Sequence, residues 1–353
     1  MDLVKGDWTM KPSGIGGQAV MEGVMMKNGD EYAVAVRLPN GEITVKREEY
    51  KGIVKGKKFL TLPFIRGVFN FIDSMVLGMK TLTYSADLAM EEEKAESAGD
   101  GDGTGEAAKS RKKESDSGLM MTLTIVLAIA MAVGLFMVLP VLLAGLLRRF
   151  IISSFLITLI EGLIRIGLFL LYVMLISKME DIQRVFMYHG AEHKCINCIE
   201  HGLELNVENV KASSRLHKRC GTSFLLIVMV VSVLVTMFVR IETVWLRVLS
   251  RIILLPVIAG VSYEVLKLAG RSESPIITAI SKPGLMMQKL TTREPDEQMI
   301  EVAIQSVEAV FDWKTFVFGE NDSAACKSTA VDVAGDSVGN DRICAGEAKD
   351  SEV

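Results

Sequence analysis

Histidine and cysteine are scarce in this chain of 353 residues, with four of the first and five of the second. An odd number of cysteines does not fit a secreted disulfide framework. Strong net charge is also missing: the balance is −4, which gives no basis for general nucleic-acid binding, and no nucleic-acid partner is expected. Met1 to Pro12 holds no apolar run, so no cleaved signal peptide is expected. Finally, Leu119 to Leu147 contains no charge of either sign.

That last absence turns the reading towards a bilayer. Half of the residues are hydrophobic and the mean hydropathy is +0.33, too apolar for an ordinary soluble domain of this length. At about 1.5 Å per residue, Leu119 to Leu147 more than crosses a hydrocarbon core of roughly 30 Å. Phe150 to Ile176 is as apolar apart from Glu161 and Arg165, and Gly221 to Val239 is uncharged. Val248 to Leu266 is a fourth candidate span, interrupted by Arg251 and Glu264. Glu161 and Arg165 are four apart, so they are expected to form a static pair that neutralises both.

Basic residues set the expected topology. Lys109, Arg111 to Lys113, Lys178, Arg184, Lys194, Lys211, Arg215, Lys218, Arg219, Lys267 and Arg271 flank one side. Arg148, Arg149, Arg240 and Arg247 flank the other. The imbalance puts both termini and the 178–220 segment in the cytoplasm of a multi-pass cell-membrane protein, where cysteines stay reduced. The short connection at Arg148–Arg149 makes the first two spans a hairpin.

The fold class expected is mainly α: a polytopic helical membrane protein of about four spans, with a small N-terminal α+β cytoplasmic region. That region is 1–90. In it, "YAVAVRLPNGEITVK" alternates about a Pro39-Asn40-Gly41 turn and predicts a β-hairpin. "GIGGQAVMEGVMM" is glycine-rich and reads as tight backbone turns, not a phosphate cradle, because Ala19 stands where a dinucleotide fingerprint wants glycine. Glu22 within it is either a buried carboxylate or a solvated turn residue. Phe64 to Met90 has helical apolar spacing through Val68, Ile72, Met75, Val76 and Met79. Such a helix packs on the hairpin or lies along the membrane interface. Residues 91–118 read as a disordered linker. A transmembrane hairpin at 119–177, a His/Cys loop at 178–220 and a second transmembrane pair at 221–270 follow. Cytoplasmic amphipathic helices at 271–318 start again at Glu294-Pro295-Asp296, with one apolar face across 296–311. The 319–353 tail, holding Cys326 and Cys344, reads as disordered.

All four histidines and three of the five cysteines fall between positions 189 and 220. His189 and His193 are four apart, on one face of a helix continuing from the second span, and His217 and Cys220 close the far end of the segment. Neutral imidazoles and a thiolate so placed suit Zn²⁺ or a similar divalent transition metal. H-G-A-E-H also fits the inverted zinc-peptidase pattern, in which Glu192 acts as general base. Such a site needs a further acidic ligand, and Glu264, a carboxylate at the end of a span, is the candidate. Cys195-x2-Cys198 with His217-x2-Cys220 competes as a closed zinc ribbon, which is structural and does no chemistry. Imidazoles that merely hydrogen-bond at the interface, with no metal, are a third arrangement.

"GGQAVMEGVMM", "YHGAEHK", "SRLHKRCGTSF", "GVSYE" and "LTTREPD" together resemble the hallmark strings of the YqhQ-like family of bacterial integral membrane proteins. The resemblance runs from about Gly16 to Phe311, apart from the linker. It implies a metal-dependent enzyme and picks out Glu22, His189, Glu192, His193, His217, Arg219, Cys220 and Glu264 as shared polar residues. Cys195, Cys198 and His201 fall outside these strings, which weakens the ribbon arrangement. The resulting expectation is a metal site of His189, His193, His217 and Cys220 with Glu264, and Glu192, Glu22 and Arg219 as catalytic helpers. The function expected is a hydrolase acting at the cytoplasmic membrane face on a membrane lipid or peptide. The alternative is a non-enzymatic scaffold with a structural zinc, docking a protein partner through the 296–311 helix.

Overall fold

The computed structural model describes residues 11–54, 58–98, 110–151, 153–239, 241, 243–269 and 274–319. Four strands, β1 (Gly16–Val20), β2 (Gly23–Asn28), β3 (Glu31–Arg37) and β4 (Ile43–Glu49), form an antiparallel sheet in the order β1-β2-β3-β4. The helices are α1 (Ile65–Ala98), α2 (Ser110–Val133), α3 (Leu139–Leu146), α4 (Ser154–Ile176), α5 (Glu180–Glu200) and α6 (Val207–Ala212). They continue with α7 (Gly221–Thr236), α8 (Val244–Ala269), α9 (Pro275–Thr291), α10 (Glu297–Glu308) and α11 (Trp313–Phe318). The molecule is mainly helical, as the sequence predicts.

Strand alternation explains how the sheet is covered on both faces. Val24, Met26, Ala33 and Ala35 point to one side, onto Ala191, Ile196 and Ile199 of α5 and Ile300, Ala303 and Val307 of α10. Val20, Met25, Tyr32, Val34 and Val36 point to the other, where Leu77 of α1 meets them. The predicted hairpin is present as β3 and β4, with Gly41 at φ 88 in its turn. The glycine-rich stretch before it is a second hairpin, β1 and β2, instead of a run of turns. Its glycines mark close approach: a Cβ on Gly23 would meet the Ala35 carbonyl at 2.2 Å, and one on Gly17 would meet Glu192 Cγ at 2.6 Å.

Three helical stretches are long and apolar enough to cross a membrane: Thr122–Leu146, Phe155–Ile176 and Trp245–Ala269. The predicted span at Gly221–Val239 is the shorter apolar helix Gly221–Thr236. The first stretch runs from α2 into α3 through a π-helical turn at Gly134–Val138. Pro140, which has no N–H to donate, sits just beyond it and disturbs the i→i−4 ladder.

Several expectations need correction. Helix α1 runs on through Ala98 and α2 begins at Ser110, so both ends of the expected disordered linker are helical. The Glu-, Lys- and Ala-rich "MEEEKAESA" favours a helix despite its polarity. Residues 99–109 lie outside the described residues, as does the 320–353 part of the tail with Cys326 and Cys344. The histidine helix does not continue the second span: α4 ends at Ile176, and Met179 is extended before α5 begins. The 178–220 segment is mostly helix, not loop. Arg165 is not the sole partner of Glu161, because Arg251 and Arg247 of α8 converge on the same carboxylate. The apolar face of α10, capped by Asp296, is buried inside the chain. The α1 stripe of Ile72, Met75, Val76 and Met79 is exposed, while the opposite side of α1 packs on the sheet and on Tyr263 of α8.

Candidate metal centre

Helix α5 is the axis of the site, and every residue from Gly190 to Glu200 is buried. So much polar chain can be buried only because its side chains are partnered. Lys194 Nζ donates to the carbonyls of Lys211 and Ser213 at 2.8 and 2.9 Å, and Asn197 Nδ2 to that of Ser214 at 2.6 Å. These bonds lay the 211–216 segment along α5. On the other side the 291–296 segment crosses the helix at Gly190, where a Cβ would meet the Arg293 carbonyl at 2.0 Å.

The two crossing segments orient the imidazoles. His189 Nδ1 lies 2.9 Å from the Thr291 carbonyl and His193 Nδ1 lies 2.7 Å from the Arg215 carbonyl. A carbonyl only accepts, so each Nδ1 carries a proton, and in the neutral ring Nε2 keeps the lone pair that could bind a metal. The rings are 4.4 Å apart between centroids. Cys220, the N-cap of α7, places Sγ 3.3 Å from His189 Nε2 and at the positive end of the helix dipole. Donor atoms of His189, His193 and Cys220 all lie within 4.8 Å of one another, His193 and Cys220 buried and His189 half-buried. This His/His/Cys group could bind a metal. Backbone carbonyls that fix ring tautomers from behind are the usual outer support of imidazole ligands.

The other sequence-predicted residues are distributed differently. Glu192 is buried beside the group, with Oε2 3.4 Å from His193 Nε2. His217 stands next to His193, ring centroids 5.8 Å apart, but its Nε2 faces Glu200 Oε2 at 3.4 Å. Arg219 pairs with the same Glu200. Glu22, at φ 50 in the β1–β2 turn, is clamped by Arg184 at 2.6 and 2.5 Å, a turn of α5 before the histidines. Glu264 is held by Arg66 at 2.8 and 2.6 Å and is not brought to the His/His/Cys group. Each of these two carboxylates has a local guanidinium partner, which a linear sequence does not reveal.

Cys195 and Cys198 do not join either. Burial pushes the Cys195 thiol well up and the Cys198 thiol up to about 11. Cys198 donates to the Glu204 carbonyl at 3.3 Å, and both sulfurs pack in the core against the sheet. The CxxC ribbon is therefore not assembled. His201 bonds the Asn197 carbonyl one turn back.

Sequence reasoning missed Glu200, the most enclosed carboxylate near the site. It accepts the Ser13 N–H and hydroxyl, each at 2.8 Å, besides its contacts with His217 and Arg219. Burial opposes its ionisation, but His217, Ser13 and Arg219 outweigh burial and hold it at about 2. It missed Gln288 too, which clamps both the N–H and the carbonyl of His217 at 2.9 and 2.7 Å. Beside the segments that hold the two imidazoles lies a cleft of about 510 Å³, lined by Met187, Arg215, Lys289, Thr292, Arg293 and Glu294 among others.

Residues 62–313 match the family described as "Protein of unknown function (DUF1385)". The Bacillus subtilis (strain 168) protein described as "Uncharacterized protein YqhQ" is 38% identical over 305 residues, which covers 84% of this chain and 91% of that protein. No solved structure matches the chain. A family match over most of the chain, joined by a relative that similar along nearly its whole length, places the chain in the DUF1385 family of YqhQ-like proteins.

Proposed function

We propose that this protein is a membrane-embedded, metal-dependent hydrolase whose centre is His189, His193 and Cys220. The observation that carries this reading is the convergence of three donors with both Nδ1 atoms tied to backbone carbonyls. Two neutral imidazoles and one thiolate suit Zn²⁺ best among divalent transition metals. With three protein donors, one coordination position stays open, which distinguishes a catalytic site from a closed structural one. When bound, the ion supplies Lewis-acid activation of water and of a carbonyl or phosphoryl oxygen.

The chain supplies the rest. Glu192 Oε2 is within reach of the ligand side of His193, the place for a general base that takes the proton of the attacking water. Gly17 leaves the room this carboxylate occupies. The cationic lining of the neighbouring cleft, Arg215, Lys289 and Arg293, favours an anionic substrate, and the adjoining spans favour one at the membrane surface. A lipid headgroup meets both conditions, and a membrane peptide meets the second. The balance of flanking basic residues supports a cytoplasmic setting for this face and for both termini.

Metal analysis of chelator-free, detergent-purified protein tests the reading, with about one equivalent of a transition metal expected. Less than about half an equivalent would sink it. Glu192→Gln then separates catalysis from structure: metal content stays near the parent value while complementation of a deletion strain is lost. Full complementation by that variant with normal metal would instead favour the scaffold reading, in which the ion only locks α5 to α7.

A further inference from the structure

A second buried polar cluster lies inside the helical bundle, apart from the His/His/Cys group. Glu161 of α4 is buried, with Arg165 NH2 at 3.3 Å from Oε1 and Arg251 of α8 paired to the same oxygen. Arg247 NH1 lies 3.6 Å from the other oxygen and also donates to the Ile241 carbonyl. Even with Arg247 left aside, two buried guanidiniums share one carboxylate, so positive charge is in excess. An internal ion pair needs only one arginine, and surplus charge within a span is expensive unless something compensates it. Donors outnumber acceptors among the cluster's atoms left without a hydrogen-bond partner by the described residues: Nε of Arg165 and both Nε and NH1 of Arg251, against Oε2 of Glu161 alone, which Arg247 approaches at 3.6 Å.

We propose that this cluster is an anion site for a phosphate-type oxyanion, held between α4, α7 and α8. Planar guanidiniums recognise phosphate through paired N–H donors, and buried donors without partners are what such a ligand would satisfy. The site's frame is rigid. Arg165 is steadied by Ser232 Oγ of α7 at 3.1 Å, and a Cβ on Gly162 would meet Val233 of α7 at 2.4 Å. Its depth points to the source. Glu161 lies about 10 Å along α4 from Ser154, the end remote from α5. That is nearer this end of α4 than its Ile176 end, so a headgroup phosphate would approach the cluster from the Ser154 side. The ligand is therefore the phosphate of an anionic phospholipid or, by the same chemistry, free phosphate.

Thermal unfolding of the full chain in neutral detergent, at matched ionic strength, tests this. Phosphatidylglycerol at about 100 times its Kd should raise the midpoint by about 5 °C, and phosphatidylcholine should not. Arg251→Gln should lose that increment and Arg251→Lys should keep part of it. An equal increment from inorganic phosphate would assign the site to the free ion and leave the oxyanion chemistry standing. No increment from either anion, or one that survives Arg251→Gln, overturns the proposal. Should Arg251→Gln fail to fold, Glu161→Gln decides: removing the competing carboxylate should enlarge the increment, and an unchanged or smaller one overturns the site.

Discussion

Helix α4 separates two buried polar groups built on opposite principles. At its α5 end, the imidazoles are aimed by backbone: Thr291 and Arg215 carbonyls hold them from behind, with Cys220 at the far nitrogen of His189 and Glu192 at that of His193. Nearer its start, Glu161, Arg165 and Arg251 are aimed at one another, with donors left over. Backbone carbonyls cannot titrate or move away, so the first group is fixed whatever it binds. Side-chain charges balance only as a set, so the second is complete only when its charges are matched. Positioning is thus a property of the fold at one end and of composition at the other.

Four substitutions sharpen or break this contrast. The largest effect is expected at Glu200, the buried carboxylate that holds His217 and Arg219 beside the fixed group. Glu200→Gln leaves Arg219 and His217 without their carboxylate and should cost about 3 kcal/mol of stability, read by thermal unfolding. Because its folded pKa is depressed to about 2 from 4.5, the parent's advantage is full above about pH 4.5 and disappears as pH falls towards 2. A loss under about 1 kcal/mol, or one that persists unchanged at pH 2, would contradict the clamp. His193→Ala follows: metal content should drop below about half an equivalent and the unfolding midpoint should fall with it. Retained metal would transfer the ligand role to a neighbour, Glu192 or His217.

Gly17→Ala ranks third. The new methyl would stand 2.6 Å from Glu192 Cγ and 2.8 Å from Met26 Sδ, costing about 1–3 kcal/mol. It should displace Glu192 and abolish complementation while metal stays bound. Normal complementation would mean that Glu192 need not sit where it does. The smallest effect belongs to Glu264→Gln, which breaks the partly exposed pair with Arg66 and can still accept the Phe64 N–H. Under about 1 kcal/mol is expected, with metal content unchanged. A drop in metal would restore Glu264 to the ligand set.

Much of this was legible in the chain. The crowding of rare histidines and cysteines into 189–220 marked the His189, His193 and Cys220 group, because the spacing of the two histidines on one helix is local and Cys220 follows close in sequence. Apolar runs marked the long helices for the same reason. What escaped depends on partners far away in sequence. Glu22 and Glu264 looked like site carboxylates until Arg184 and Arg66, 162 and 198 positions away, took them. Glu200 carried no motif at all; its importance comes from Ser13, 187 positions away. The β1–β2 hairpin was hidden by glycines whose reason is tertiary, namely contact with Ala35 and Glu192. Arg251 read as a blemish in a span because arginines are common and their convergence on Glu161 has no sequence signature.

The order of the pieces along the chain bears on how the protein is made. His189 and His193 leave the ribosome on α5 well before Cys220, and the Thr291 carbonyl that orients His189 comes last, at the end of α9. Between them lie α7 and α8, the apolar helices against which α9 packs. A nascent chain thus carries all three donors before the carbonyl that orients His189 has been made. The His/His/Cys group therefore reaches its final geometry only after α9 has packed against α7.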